Sequence, residues 1–344
     1  MKNKKPLRKK LNKLRQAKFL RWLLKPRVET VIVFFVVLIG VFFLGLFLTG
    51  VQVASDKPEP FPISVDSRNR MIVENTEVEN YFNVYVAGEE PALGKLSWLG
   101  RLSNKLGVDL WPQYLANPLS RKVVILPGER REQVAEHFAR ILGWDKAEEQ
   151  KFLDLVASST PELTEGKYYP DSYLVEKTAS PEDMANIINQ AFVSEVLDRY
   201  PSRLEKKVPL EEALIIASIL EREAYDFEDM RLISGVIWNR LFVGMNLQLD
   251  ATLQYAKGSL PYGPWWPQVV PADKYIDSPY NTYENEGLPP GPIANPSIET
   301  ILAALNPVAT DCLFYFHNRK AEFFCSPTYE GHVELLRQEY GRGR

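Results

Sequence analysis

Glu211-Glu212-Ala213-Leu214-Ile215-Ile216-Ala217-Ser218-Ile219-Leu220-Glu221-Arg222-Glu223 decides how the chain is read. An acidic first turn precedes an uncharged run, so the stretch reads as a helix buried around most of its circumference. Glu221 breaks that run. A carboxyl drawn into an apolar surface holds its proton more tightly, which is how a general acid is made. On a helix Leu214, Ala217 and Ser218 share a face with Glu221, and the small residues one turn earlier leave room for a ligand. Taken alone, the same glutamate also reads as the solvated end of a core helix.

Outward from this segment, helical spacing predicts one helix from about Pro209 to Tyr225 and another from about Asp229 to Val243, stopped by Gly244. Upstream, Val123-Val124-Ile125-Leu126 reads as a short strand, followed by Pro127-Gly128 and a helix with Val134, Phe138, Ile141 and Leu142 on one face. Further helices are expected at 146–156 and at 181–200, the latter opening on Pro181-Glu182-Asp183. Residues 258–296 are rich in proline, glycine and aromatic side chains and read as a long functional loop. Ser297 can cap a short helix ending at Leu305, and a last helix is expected near Tyr329 to Tyr340.

The chain has 344 residues, 45% of them hydrophobic, enough for an anchor and one or two cored domains. Twelve lysines and arginines fall within residues 1–27, and no acidic residue occurs before Glu29. Val31 to Thr49 is uncharged and, at about nineteen residues, long enough to cross a bilayer. Together they predict a single transmembrane helix with the basic arm inside, and no small-residue cleavage site follows. With a whole-chain charge of −3, the remainder after the arm carries −15. That balance argues against polyanion binding by the exported part, and attraction to anionic lipid explains the arm without nucleic acid.

The only cysteines are Cys312 and Cys325, flanking a segment that reads as a hairpin centred between 318 and 319, with the two directly opposite. A cross-strand disulfide and two buried thiols are both compatible with that placement. His137, His317 and His332 have no metal-ligand spacing, and no glycine-rich phosphate loop is present, so no metal or nucleotide cofactor is expected.

Several ordered blocks carry a family resemblance. They are Glu165-Gly166-Lys167-Tyr168-Tyr169-Pro170-Asp171-Ser172-Tyr173, Ala217 to Glu223, Asn239-Arg240-Leu241, Gly244 to Asp250, Ser278-Pro279-Tyr280-Asn281-Thr282-Tyr283, and Gly287 to Ile293. In this order they resemble the endolytic murein transglycosylase family, YceG-like, from about Val123 to the C-terminus. The resemblance implies that Glu221 is the catalytic residue, that the substrate is the glycan of peptidoglycan, and that a small LysM-like module precedes the catalytic part. The chain departs from the family pattern in three ways. Ala224 stands in place of a frequent threonine, Glu322 in place of a late-hairpin histidine, and the 258–277 loop is enlarged.

The expected fold is therefore α+β, in five parts. They are a basic cytoplasmic arm (1–27), a transmembrane helix (28–53), a proline-containing spacer (54–70), a LysM-like α/β module (71–160) and a mainly helical catalytic domain with a β-hairpin (161–344). The expected activity is that of a membrane-anchored lytic transglycosylase, a lyase that cuts the MurNAc-GlcNAc bond of nascent strands beside peptidoglycan synthases (penicillin-binding proteins). It leaves 1,6-anhydro ends and limits strand length. Glu223, two residues from Glu221, lies about 200° around the helix and points elsewhere. A lytic enzyme needs only one acid/base, because the muramic C6 hydroxyl attacks in place of water.

From motif position Gln248, Asp250, Tyr280, Asn281 and Thr282 are candidate substrate-binding residues, with Ser218 and Glu223 in supporting roles. Asn281 and Thr282 read equally as loop stabilisers. Trp265, Trp266 and Tyr262 offer faces for sugar stacking or for packing under the loop. Two other readings stay open: a hydrolytic muramidase with Asp250 as base, and a noncatalytic glycan-binding scaffold. The working part is expected outside the inner (cytoplasmic) membrane, in the periplasm if an outer membrane exists.

Overall fold

A computed structural model describes residues 35, 37–41, 58–73, 120–260 and 263–341. The cytoplasmic arm, nearly all of the expected transmembrane helix, residues 74–119 of the expected module and Tyr262 lie outside the described residues. Among the described residues no helix is long and apolar enough to cross a membrane. From Pro58 onward the fold mixes helix and sheet. Its described residues are mainly helical, with three two-stranded antiparallel sheets among them.

Chain order gives β1 (Val65–Asp66), β2 (Met71–Ile72), β3 (Ser120–Val124), α1 (Arg131–Leu142), α2 (Lys146–Ala157), β4 (Ser172–Glu176), α3 (Pro181–Glu195), α4 (Ser202–Glu205), α5 (Leu210–Glu223), α6 (Phe227–Val243), α7 (Asp250–Gly258), α8 (Ile298–Leu305), β5 (Phe314–His317), β6 (Phe323–Ser326) and α9 (Tyr329–Tyr340). Helix α5 is the centre of the larger core. Ala213 to Leu220 are all buried, and the helix packs against α6 and α8. Burial on every side follows from the uncharged run, since no stripe of that helix needs water. Trp238 on α6 ties the layers together by donating from Nε1 to the Ala304 carbonyl at 2.9 Å. Gly244 ends α6 in the left-handed region at φ 69°, where the sequence places the stop. The start lies at Phe227, earlier than expected, because Asp226 caps it by accepting from the Asp229 amide.

The smaller core belongs to a β3–α1–α2–β4 unit extended by α3. Val123, Val134, Phe138, Phe152, Val156, Tyr168 and Ile188 are buried in it. Strand β4 pairs with β3 along five residues, Val123 opposite Tyr173. The sheet therefore takes its second strand from beyond residue 160, where the sequence reading ended the module. Lys167 is buried at the end of α2, its Nζ donating to the carbonyls of Val156 (2.6 Å), Ser159 (2.7 Å) and Pro161 (2.7 Å). A cation at a helix C-terminus meets carbonyls that lack helical partners.

Two expectations are corrected. Residues 58–70, read as part of a spacer, belong to the folded unit. Phe61 and Val65 are buried, Phe61 N–H bonds the Arg199 carbonyl, and Ser64 N–H bonds the Leu305 carbonyl, both at 3.0 Å. The alternation of Phe61, Ile63 and Val65 is a strand signal that the prolines mask. The second correction concerns the late hairpin, where Tyr315, not Cys312, lies opposite Cys325. Asn318 organises the connection. Its N–H bonds the Glu322 carbonyl at 3.0 Å, and its Oδ1 accepts from the Lys320 (2.9 Å) and Glu322 (3.0 Å) amides, which places the turn later than the sequence reading did. The cysteines nevertheless form a disulfide, Cys312–Cys325, across a Cα separation of 5.7 Å.

Candidate active site

Glu221 lies in the last turn of α5 and is half-buried. Its Oε2 accepts three hydrogen bonds from one element: Ser297 N–H at 2.9 Å, Ser297 Oγ at 2.8 Å and Thr300 Oγ1 at 2.9 Å. Ser297 is also the N-cap of α8, its Oγ accepting from the Thr300 amide. The carboxyl therefore sits against a helix N-terminus, where donors and dipole favour an acceptor. No hydrogen bond reaches Oε1 among the described residues, so one oxygen is anchored and the other is left to react.

The turn between β3 and α1 closes on the same side chain. Gly128, at φ 79°, has no Cβ, and one placed there would lie 3.6 Å from Glu221 Cγ and 3.3 Å from an Arg222 guanidinium nitrogen. Asn295, fully buried, locks that turn to the segment leading into Ser297. Its Nδ2 and N–H both bond the Glu129 carbonyl (2.8 and 2.9 Å), its Oδ1 accepts from Tyr168 N–H (3.1 Å), and its carbonyl accepts from Gly128 N–H (2.9 Å). A cavity of about 350 Å³ opens beside Ser297, with Pro127, Tyr169, Asp171 and Ser172 among its walls.

On the other flank stands an aromatic wall. The Arg222 guanidinium lies over the Trp266 ring at 4.1 Å, and Trp266 Nε1 donates to Gln133 Oε1 of α1 at 3.1 Å. Tyr255 packs against Tyr280 with ring centroids 4.7 Å apart and planes tilted by 48°, and buried Arg130 covers Tyr255 at 4.1 Å and Trp265 at 5.1 Å. Gly258 is needed for this fold of the loop, since a Cβ there would meet the Trp265 carbonyl oxygen at 2.0 Å. Desolvation pulls the Arg222 guanidinium below its ordinary value, against the pull of Glu221 and Glu223, in a side chain that remains exposed overall.

The expected site residues separate into two groups. Tyr280 lies in the aromatic wall beside Tyr255, and Ser218 Oγ donates to the Ile215 carbonyl (2.7 Å) and accepts from Ile293 N–H (3.0 Å). Glu223 faces elsewhere, as its helical angle requires. Oε1 accepts from Ala251 N–H at the start of α7 (3.0 Å) and Oε2 from the Tyr315 hydroxyl (3.1 Å), while burial lifts its proton affinity. Asp250 is exposed and accepts from the Tyr283 hydroxyl at 2.8 Å, and Gln248 is exposed at φ 51° with its N–H on the Thr282 carbonyl.

Asn281 and Thr282 are buried, and their polar atoms are taken up inside the protein. Asn281 Nδ2 donates to the Lys274 and Ile276 carbonyls (3.0 and 2.9 Å), and Thr282 Oγ1 accepts from Leu249 N–H (3.0 Å) and meets Thr252 Oγ1 (2.9 Å). They hold the loop. These bonds fit the stabilising role that their residue types also suggested.

Sequence reasoning missed Thr300, Asn295 and Glu165. Glu165 is buried and accepts from Arg131 N–H at 3.0 and 3.2 Å, and burial, reinforced by Glu132, pushes its carboxyl up to about 8. Among the described residues no group of three His, Cys, Asp or Glu is placed to hold a metal ion.

The model of the YceG-like family matches residues 101–338. A Streptococcus pneumoniae (serotype 2, strain D39) protein named endolytic murein transglycosylase is 30% identical over 217 residues, covering 59% of this chain and 38% of that one. A Bacillus subtilis (strain 168) protein of the same name is 37% identical over 170 residues, 49% of this chain and 46% of that one. The chain thus spans less than half the length of these curated relatives. A crystal structure of a yceG-like protein from Listeria monocytogenes superposes with a TM-score of 0.55 at 31% identity, over 62% of this chain and 75% of that one.

Proposed function

The chain belongs to the YceG-like family, and from that membership and the geometry around Glu221 we propose that it is an endolytic lytic transglycosylase of peptidoglycan. The observation that carries the reading is the one-sided anchoring of Glu221. With Oε2 held by Ser297 and Thr300, the proton of the acid form resides on Oε1. Oε1 gives that proton to the oxygen bridging muramic C1 and the next sugar, and the C1–O bond breaks. The muramic C6 hydroxyl then bonds to C1, and its proton returns to Oε1. No water is consumed, and the product carries a 1,6-anhydro ring. General acid–base action of this kind contributes about 10²- to 10⁴-fold. Glu223, committed to Ala251 and Tyr315, offers no second carboxylate on the same side of α5.

The finer reading places the working part outside the cytoplasmic membrane, held by a helix over 28–53 beside peptidoglycan synthases. The basic arm, the uncharged Val31 to Thr49 stretch and the disulfide support it. A tether raises effective concentration against newly made strands at the membrane surface. The β3–α1–α2–β4 order supports reading that unit as the LysM-like module.

The test is to incubate the purified full chain with uncrosslinked glycan strands and weigh the products. Internal cuts whose new ends are lighter by one water are expected, and E221Q should lose turnover while strands still bind. Fully hydrated ends would favour the muramidase reading, and binding without turnover by the wild type would favour the scaffold.

A further inference from the structure

Arg222 has no part in the reaction just described, yet it stands next to the acid. Its guanidinium lies over the Trp266 ring at 4.1 Å and close to the β3–α1 turn at Gly128, while the side chain stays open to solvent. Among the described residues it makes no hydrogen bond or ion pair. The neighbouring cations differ: Arg130 is paired with Glu132 at 3.3 Å and bonded to Ser259 and Tyr255, and Arg131 is paired with Glu132 at 3.0 Å. Gln133 keeps the indole, and with it the planar guanidinium, in place. A planar fork on an aromatic face is suited to a carboxylate.

We propose that Arg222 is a specificity-determining residue that binds a carboxylate carried by the muramic sugar whose anomeric bond is cut. This rests on the transglycosylase reading. The muramic ring alone bears a lactyl substituent, on the same ring as the anomeric carbon, so a ring seated on Glu221 brings that substituent to the adjacent side chain. Two sources supply the group. One is the free lactyl carboxylate of a sugar without its peptide. The other is a carboxylate of the peptide stem. Recognition of either sets which of the two alternating sugars occupies the cleavage position.

The experiment compares the full-length wild type, R222Q and R222K on four preparations: strands with stems, strands with stems removed by an amidase, and each of these with carboxylates converted to amides. The wild type should lose about tenfold in kcat/KM when the recognised carboxylate is amidated, mainly through KM, as expected for one charge-assisted contact. R222Q should bring the ratio between native and amidated strands to about one, and R222K should leave it between the two. Whichever preparation shows the loss identifies the source. Equal wild-type rates on native and amidated strands would overturn the proposal, as would an R222Q defect of the same size on both. Absence of anhydro ends from every preparation would instead overturn the transglycosylase reading, so the two failures are distinguishable.

Discussion

At the scale of single residues, the site depends on who holds Oε2 of Glu221. S297A removes one of three donors together with the cap of α8, leaving the Ser297 amide in place. Loss of a hydrogen bond to a charged group predicts a fall in kcat of about tenfold to a hundredfold with KM little changed. Loss of the cap predicts about 1 kcal/mol less stability in urea unfolding. T300V, which spares the cap side chain, should lower kcat with a smaller stability loss. Glu165 gives a prediction of another kind. Burial, with Glu132 beside it, raises its carboxyl from 4.5 to about 8, so from the lower value upward the unfolded chain releases the proton while the folded chain keeps it. Stability from this group is complete below 4.5 and is lost as pH rises through about 8. E165Q has no such proton, so its melting temperature relative to wild type should climb between about pH 5 and about pH 8. A flat difference would assign the slope to another group.

At the scale of elements, the loop after α7 shows how backbone contact sets the site. In G258A the new methyl group would sit 2.0 Å from the Trp265 carbonyl oxygen, so the loop must move and carry Trp265 and Trp266 with it. The expected outcome is a change in tryptophan fluorescence and a loss of turnover that exceeds the loss of stability. Most of the helices were legible in the sequence, though not α4 or α7. Pro209, Gly244 and Ser297 mark ends by local chemistry, and the uncharged run of α5 announces burial. What joins the elements was not legible. Ser297 and Thr300 reach Glu221 across more than seventy residues of sequence, and no periodicity encodes that meeting. The β5–β6 register depends on Asn318 bonding within its own turn and on Ala321 at φ 61°, a residue type that does not advertise the left-handed region. Asn281 and Thr282 were legible as loop residues, and their burial fits a loop-holding role.

At the scale of the whole molecule, the charge is divided: a basic start and an acidic remainder of −15. If the uncharged stretch anchors the chain, the full protein should sediment with vesicles containing anionic lipid, and a chain beginning at residue 54 should stay in the supernatant while keeping its cutting activity on free strands. Recovery of the shortened chain with the vesicles would place membrane affinity elsewhere. Cleavage in solution by both forms would separate the chemistry from its location. The hydroxyl of Ser297 couples these levels in a way that reaches beyond any one assay. Because one oxygen atom both begins α8 and grips the acid, natural variation at this position is screened twice, once by folding and once by turnover. A variant that trades robustness for speed, or the reverse, has to arise somewhere else in the chain.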